Sequence, residues 1–461
     1  MTDSNPRRDA RQPTDFETLA DRALKRGQDL GQQRGLSRRT FLGGVAQFGA
    51  SALVLGFGGL GFDAVGGRAA HAGSGASNAG VNTDAPHWLS FEPVAANSAD
   101  TITVPPGFRW RTVISWGDPL WSKGSPFDPS SRGDANSQAL AFGDNNDGMS
   151  LFTHEGRSIL VVNNEYVNLD IIHGNRASRR PENADDIRKN KAAHGVSVVE
   201  IKQENGAWEP VPDSPFNRRI TADTPMDITG PGRGHDLLKT EADPKGTRSL
   251  GTWNNCGNGE TPWGTYLACE ENFNGYFASS DPDHSPSAAL ERYGVTARDR
   301  GYGWYREDAR FDISLHPNEP NRAGYVVEID PLDPAAMPKK RTALGRFKHE
   351  NAEVVIADSG HVVVYLGDDE RGEYLYRFVS RGKYSENGDN RDLLADGQLY
   401  AAHFNDDGTG TWLALTPEAT GMASQAEICI HTRLAASAVK ATTMDRPEWV
   451  AAHPHKAEGY C

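Results

Sequence analysis

The chain has 461 residues and a formal net charge of −14, with 48 Lys and Arg residues against 62 Asp and Glu residues. This length suits either two average domains or one large β architecture, because propellers and barrels often exceed the usual domain size. The charges are scattered without a basic cluster, which excludes the electrostatic footprint of nucleic-acid or membrane-surface binding, and four cysteines are too few for a disulfide scaffold.

The first 72 residues carry the features of an export signal. The motif SRRTFL at residues 37–42 precedes a weakly apolar, Gly-rich run, which leads into AHA at residues 70–72. Paired arginines followed by a small-residue cleavage pattern are typical of a twin-arginine signal peptide, whereas a membrane anchor would contain fewer glycines. We therefore expect residues 1–72 to be removed during export by the twin-arginine translocase. The protein would then be periplasmic or secreted, without a stable membrane anchor.

The mature chain is predicted to be an all-β protein. Residues 73–105 are small and polar and predict an N-terminal arm, and residues 106–461 then form one β domain. Short apolar or alternating runs recur between Gly, Asn, Asp and Pro residues, and each predicts a strand. The runs are RWRTVISW, RSILVVNNEYV, HGVSVVEIK, GTYLACEE, AGYVVEID, EVVIADSGHVVVYLGDD and GEYLYRFVS.

Helical periodicity is confined to the region near residues 418–443. The consecutive runs HVVVYLGDD and GEYLYRFVS predict adjacent antiparallel strands of a β-propeller blade, although a β-sandwich gives the same local pattern.

Acidic and amide residues cluster where the predicted strands begin or end. The clusters are Asn163, Asn164 and Glu165; Glu270, Glu271 and Asn272; Lys348, His349 and Glu350; Asp368 and Asp369; and Asp445, Arg446 and Glu448. Each cluster alone is more often a solvated turn, but several acidic strand ends can converge on the axis of an all-β protein. Their oxygens are the ligands that Ca²⁺ prefers, and bound cations would let an acidic protein accept an anionic substrate.

Two cysteines lie close to one of these clusters. Cys256 lies in NNCGNGETPWG among turn-forming residues, where a nearby cation could hold its sulfur as a thiolate. A lone cysteine is more often structural. In an extended segment the side chain of Cys269 points away from that of Glu270, so we interpret Cys269 as structural.

Seven ordered motifs resemble the PhoX-type alkaline phosphatases, a family of exported bacterial phosphomonoesterases. They are FEPVAANSADTITVPPGF, SWGDPLW, GHDLLKT, NNCGNGETPWGTYLACEEN, GRFKHENAEVV, YLGDDERGEYLYRFVS and MDRPEWV. The resemblance implies a six-bladed β-propeller whose axial pocket holds ferric iron and calcium ions. It also implies an exported alkaline phosphatase that scavenges phosphate by hydrolysing small-molecule phosphomonoesters, which we expect to be a monomer.

The same resemblance implies metal ligands at individual positions. Cys256 matches the thiolate ligand of iron in the family, and Glu350 and Glu448 match carboxylate ligands of the same cluster. Glu271 and Glu165 match calcium ligands.

Arg446 matches the arginine that binds the phosphate, a role suited to a rigid guanidinium fork. The expected catalytic set is Cys256, Glu350, Arg446 and Glu448. Hydrolysis of a phosphoester requires a nucleophilic oxygen and positive charge on the phosphate oxygens, and this pocket would supply both.

Chains of the family continue substantially beyond the length of this one. We therefore expect the later blades to be incomplete. The sequence is then a fragment, a frameshifted reading, or a shortened member of the family with impaired activity. Two alternative functions stay open: a non-catalytic calcium-binding propeller, and another propeller hydrolase. A binding module would contain no iron, and another hydrolase would tolerate the loss of Cys256.

Overall fold

The computed structural model describes residues 91–461, apart from residues 455 and 457. The predicted export signal and residues 73–90 of the predicted arm lie outside the described residues. Within residues 91–108 there is no helix or strand, and Arg109–Cys461 form a compact unit. Among the helices of the described part of the chain, none has the length and apolar composition needed to cross a bilayer.

The framework of the compact unit is three large β-sheets. Its strands are β1 (Asn146–His154), β2 (Arg157–Asn164), β3 (Gly195–Glu204), β4 (Ala207–Pro210), β5 (Arg218–Ile220), β6 (Pro225–Thr229), β7 (Arg248–Leu250), β8 (Asn255–Glu260), β9 (Tyr266–Glu270), β10 (Val326–Ile329), β11 (Lys339–Arg341), β12 (His349–Ile356), β13 (His361–Asp368), β14 (Arg371–Glu373), β15 (Leu375–Lys383), β16 (Gly397–Phe404), β17 (Gly410–Ala414), β18 (Met444–Asp445), β19 (Ala451–Ala452) and β20 (Gly459–Tyr460). The first sheet has the order β1-β2-β3-β4 with β5 beside β3, the second β7-β6-β11-β10-β9-β8, and the third β12-β13-β15-β16-β17. The small pairs β14-β18 and β19-β20 complete the described strands.

Most of the strand predictions are confirmed. Six of the seven apolar runs contain strands, namely β2, β3, β9, β10, β12 with β13, and β15. The predicted pair HVVVYLGDD and GEYLYRFVS forms β13 and β15, which are antiparallel neighbours. Burial alternates along β1 as in a strand with one face in the core. Gly148, Ser150 and Phe152 are buried, while the residues between them are exposed.

The prediction of a strand in RWRTVISW, residues 109–116, is wrong. This segment pairs with no strand of the described chain. Val113 and Ile114 pack instead against the hydrophobic cluster that contains Phe142. The alternating pattern therefore marks a partly buried extended segment, because burying apolar side chains does not itself require a hydrogen-bonded neighbour.

The described helices are short. They are α1 (Ala135–Ala139), α2 (Leu169–Ile172), α3 (Ala184–Ala193), α4 (Ala288–Glu291), α5 (Pro417–Thr420), α6 (Gln425–Ile430) and α7 (Thr432–Ala438), with 3-10 turns at Asp236–Leu238, Phe273–Tyr276, Trp304–Arg306, Ala309–Phe311, Glu319–Arg322 and Thr342–Leu344. Helices α5 to α7 confirm the helical prediction near residues 418–443.

Apolar periodicity does not predict helix α3, because its sequence ADDIRKNKAA is mostly polar. Asn183 caps the start of the helix, and its side chain accepts a hydrogen bond from the backbone N–H of Asp186 at 2.9 Å. Its buried Lys189 donates to the carbonyl oxygen of Ile172 at 3.0 Å. A helix can therefore be buried through polar contacts, and its sequence then shows no apolar stripe.

The three large sheets meet along edge strands. Strand β8, at one edge of the second sheet, contacts both β1 and β12. Glycines permit this approach: a Cβ on Gly257 would lie 2.4 Å from the carbonyl oxygen of Glu350, and one on Gly259 would lie 1.9 Å from that of Ala352. Sheets whose edge strands adjoin in this way have the arrangement of propeller blades around an axis.

Candidate metal centre

Six potential metal ligands lie on or directly after the strands that meet at this junction. They are Asp147 on β1, Glu165 after β2, Cys256 on β8, Glu271 after β9, Glu350 on β12 and Asp369 after β13. Each sheet contributes two of them. Because β1, β8 and β12 are neighbours, ligands far apart in sequence converge at one place.

The ligand atoms form two groups that are joined by one contact. The first group is Asp147, Glu165 and Cys256, and the second is Glu271, Glu350 and Asp369; within each group the ligand atoms lie within 4.8 Å of one another. The Cys256 thiol donates a hydrogen bond to Glu350 Oε2 at 3.4 Å. The two groups therefore form one continuous centre.

The backbone around Cys256 is fixed by a buried polar network. Asn163 is fully buried and donates to the carbonyl oxygens of Cys256 at 2.7 Å and Gly257 at 2.9 Å. Its own Oδ1 lies 2.9 Å from the hydroxyl of Tyr266. A satisfied buried network of this kind holds one conformation, so the position of the sulfur is determined by residues outside the ligand groups.

The adjacent residues Glu270 and Glu271 have separate functions. Glu270 points away from the centre and pairs with Lys340 at 2.7 Å, with both side chains fully buried. It also accepts from the backbone N–H of Gly324 at 2.8 Å. Glu271 alone faces the ligand cluster, and Cys269 lies in the hydrophobic core, as its interpretation as a structural residue requires.

Arg446 and Glu448 lie beside the second ligand group. Arg446 donates from Nε to Asp369 Oδ1 at 3.0 Å and from Nη2 to Asp369 Oδ2 at 2.5 Å. Its Nη2 also lies 2.8 Å from Glu448 Oε1, and both side chains are 52% exposed. Glu448 is thus near the centre but belongs to neither group of converging ligand atoms.

Burial and mutual repulsion raise the pKa values of the clustered acids. Burial raises the pKa of Glu165 to about 8, with a further contribution from the charge of Asp147. Burial and the charge of Glu350 raise the pKa of Glu271 to about 8. Burial and the charge of Asp369 raise the pKa of Glu350 to about 7. If all of these acids were ionised, the centre would hold more negative charge than its surroundings can stabilise.

The Cys256 thiol is affected in the same way. Burial, followed by the charge of Glu350, holds its pKa far above the ordinary value of a cysteine. In the described part of the chain, no Lys or Arg lies within ion-pair distance of Glu165, Glu271 or Glu350. Little positive charge from the protein compensates the thiol and the carboxylates. The group therefore suits cation binding, because bound cations would stabilise the ionised form of every ligand.

Two candidate ligands of this centre are not predicted as ligands by the sequence. Asp147 lies in the turn-like stretch GDNNDG, where an acidic residue gives no distinct signal. Asp369 was recognised at a strand end but was not assigned as a ligand. Its two roles, beside Glu271 and in contact with Arg446, become visible only when β13 is placed beside the other strands.

The fold and the centre define an all-β protein of the propeller type with a candidate metal site where its sheets meet. A family model described as "Alkaline phosphatase PhoX" matches residues 89–461, and the chain belongs to this family. The resemblance seen in the sequence motifs is thereby confirmed.

A solved structure of Pseudomonas fluorescens PhoX in complex with vanadate, a transition state analogue, is similar to this chain at 49% identity with a TM-score of 0.76. The similarity covers 79% of this chain and 66% of that protein, so this chain spans less than two thirds of the length of its relative. The prediction of an all-β, propeller-type fold is confirmed by this likeness. No curated protein matches the chain.

Proposed function

We propose that this chain is an alkaline phosphatase that hydrolyses small-molecule phosphomonoesters and releases inorganic phosphate. The observation that carries the proposal is the junction of two ligand groups through Cys256 and Glu350, with the Arg446 guanidinium bound to the second group. Membership of the PhoX family supports it, as does likeness to a PhoX structure that contains vanadate, a transition state analogue.

The proposed cofactors are ferric iron and calcium. Cys256, Glu350 and Glu448 would hold iron, since a thiolate is a ligand of transition metals, and Glu271 and Glu165 would hold calcium through hard oxygens. When bound, these cations would supply the Lewis acidity that phosphoester hydrolysis requires.

Arg446 is the proposed phosphate-binding residue. Asp369 accepts hydrogen bonds from Nε and Nη2 of Arg446 and so orients the planar guanidinium. Its Nη1 group makes no hydrogen bond within the described residues and is free to donate to a phosphate oxygen. A fixed donor near developing negative charge lowers the barrier because it needs no reorganisation during the reaction.

Hydrolysis of p-nitrophenyl phosphate at alkaline pH by the full chain tests the proposal. The protein would be loaded with iron and calcium, its metal content measured by mass spectrometry, and its folding checked by circular dichroism. We expect turnover that is abolished by a calcium chelator, restored by added calcium and inhibited competitively by vanadate. Absence of turnover from the folded, metal-loaded chain would overturn the proposal, and a calcium-loaded chain that binds no iron would favour a non-catalytic binding role.

We further infer that the chain is exported by the twin-arginine translocase and acts as a monomer outside the cytoplasm. The motif SRRTFL and the AHA cleavage pattern support export. Replacing Arg38 and Arg39 together by lysine should retain the protein, unprocessed, in the cytoplasm, as immunoblots of cell fractions would show. Unchanged export of this variant would contradict the inference. Light scattering of the mature protein tests whether it is a monomer.

A further inference from the structure

One buried side chain ties the segment that carries Arg446 and Glu448 to β12. Asn351 on β12 is fully buried and donates from Nδ2 to the carbonyl oxygen of Val450 at 2.8 Å. Its Oδ1 accepts from the backbone N–H of Val450, also at 2.8 Å. The amide therefore pairs with both backbone groups of one residue, as a neighbouring strand would.

The other end of this segment, residues 444–450, is also tied down. Its first two residues form β18, which pairs with β14. Between the two ties the chain turns at Arg446, whose φ of 60° lies in the left-handed region that non-glycine residues rarely adopt. Such a conformation persists only where the surroundings determine it, so the ties on both sides set the direction of the Arg446 side chain.

Strand β13 also packs against the segment. A Cβ on Gly367 would lie 2.1 Å from the carbonyl oxygen of Pro447 and 2.6 Å from that of Glu448. The backbone of residues 447–448 therefore lies directly against β13, while Asn351 holds the next residues from β12. Movement of the segment away from the centre is opposed by the Asn351 hydrogen bonds, by the pairing of β18 with β14 and by the burial of Val450 in a hydrophobic cluster.

We propose that Asn351 is a positioning residue for phosphate binding, which acts by holding residues 444–450 so that Arg446 faces the metal centre. The role rests on the proposed function, since it concerns the same phosphate. Arg446 is long and half exposed, so its reach to Asp369 and to a phosphate depends on where its backbone is fixed. Release of Val450 would require the segment to be ordered on each binding event, which weakens affinity.

The direct test compares wild type with Asn351→Ala and with Asn351→Leu, which keeps the number and branching of the side-chain heavy atoms. Both variants lose the two hydrogen bonds to Val450. We expect the inhibition constant for inorganic phosphate and the KM for p-nitrophenyl phosphate to rise about 10-fold, with a smaller change in kcat. Added to Arg446→Ala, either substitution should have little further effect, because the two residues act through one another.

Asn217 provides a matched control. It is also buried, donates to the carbonyl oxygens of Leu120 at 3.0 Å and Val211 at 2.9 Å, and accepts from the backbone N–H of Glu200 at 2.9 Å. Asn217→Ala should therefore lower stability through the loss of similar bonds, yet leave the phosphate inhibition constant unchanged. If the effect came only from a general loss of stability, Asn351→Ala and Asn217→Ala would change the phosphate inhibition constant equally.

Hydrogen exchange provides a readout that does not depend on activity. In Asn351→Leu, the backbone amides of residues 444–450 should exchange about 10-fold faster than in wild type, while Asn217→Ala leaves them unchanged. Unchanged exchange of these amides would show that Asn351 does not hold the segment. Faster exchange with an unchanged phosphate inhibition constant would overturn the positioning role. A folded wild type that neither binds nor releases phosphate would instead refute the proposed function, and the positioning role with it.

Discussion

At the scale of single residues, the chemistry of Cys256 is decided by its neighbours. Its thiol is surrounded by the carboxylates of both ligand groups, which disfavour the thiolate. A thiolate can persist in such a place only if a cation compensates the charge, so a cysteine used only for packing would gain nothing from these contacts. These contacts therefore support the proposed role of Cys256 as a metal ligand.

Substitution at Cys256 and Glu350 should therefore remove activity rather than the fold. Cys256→Ser and Glu350→Gln each replace a proposed ligand by a group of similar size, and we expect kcat for p-nitrophenyl phosphate to fall at least 100-fold, about 2.7 kcal/mol in barrier. Cys429→Ala, at a buried cysteine outside both ligand groups, should retain kcat. Wild-type rates in both ligand variants would refute the site assignment.

The raised pKa values predict that calcium binding releases protons. In the cation-free centre Glu165 and Glu271, each with a pKa of about 8, are mostly protonated at pH 7, and calcium requires their ionised forms. Apparent calcium affinity should therefore rise from pH 7 to pH 9, with about two protons released at pH 7 and nearly none above pH 9.5.

Calorimetric titration in buffers of different ionisation enthalpy measures this release. The Glu271→Gln variant should release about one proton fewer at pH 7. Binding at pH 7 without proton release would show that the carboxylates are already ionised and would contradict the prediction.

At the scale of elements, the glycines of β8 determine how closely it approaches β12. Gly259→Ala would place a Cβ 1.9 Å from the carbonyl oxygen of Ala352, so one strand must move. We expect a loss of about 2 kcal/mol in unfolding free energy and weaker metal binding, because Cys256 and Glu350 lie on these two strands. Denaturant unfolding and metal content measure the two effects.

Gly275→Ala serves as the control for this substitution. Gly275 is also buried, but a Cβ there would meet only Arg300 Cδ at an ordinary contact distance of 3.5 Å. This variant should keep both stability and metal content. Equal behaviour of the two variants would show that the close approach of β8 to β12 is not required.

The elements also show what the sequence alone could predict. Runs of β-branched residues such as those in β13 predicted strands correctly, because their local pattern matches their burial. RWRTVISW had a similar pattern but no partner strand, and α3 had a partner surface but no apolar period. Both errors arise because pairing and polar burial depend on residues distant in sequence.

The candidate site was predictable to the extent that the family motifs carry its residues. Cys256, Glu271 and Glu350 could be named from those motifs, and the structure brings them together. Asp147 could not, since its approach to Cys256 depends on the packing of β1 against β8. Strand register and sheet contacts, which no local pattern encodes, determine which acidic strand ends become neighbours.

At the scale of the whole molecule, the centre lies where the edge strands of three sheets meet, and these sheets also share hydrophobic clusters. Each of the three large sheets contributes two candidate ligands, so a bound cation would link sequence-distant parts of the compact unit. The repulsion among Glu165, Glu271 and Glu350 that opposes this convergence in the cation-free chain would become attraction to the cation.

Calcium should therefore stabilise the entire compact unit. A cation that binds only the folded state at 100 times its dissociation constant adds about 2.7 kcal/mol to the unfolding free energy. For a unit of this size we expect the melting temperature to rise by about 4 °C, measured by scanning calorimetry with calcium and with a chelator. Glu271→Gln should lose most of this increment, whereas Glu155→Gln, at an exposed turn outside the centre, should keep it. Equal melting temperatures with calcium and with chelator would mean that the folded centre gains nothing from the cation, and would refute the assignment of these carboxylates as its ligands.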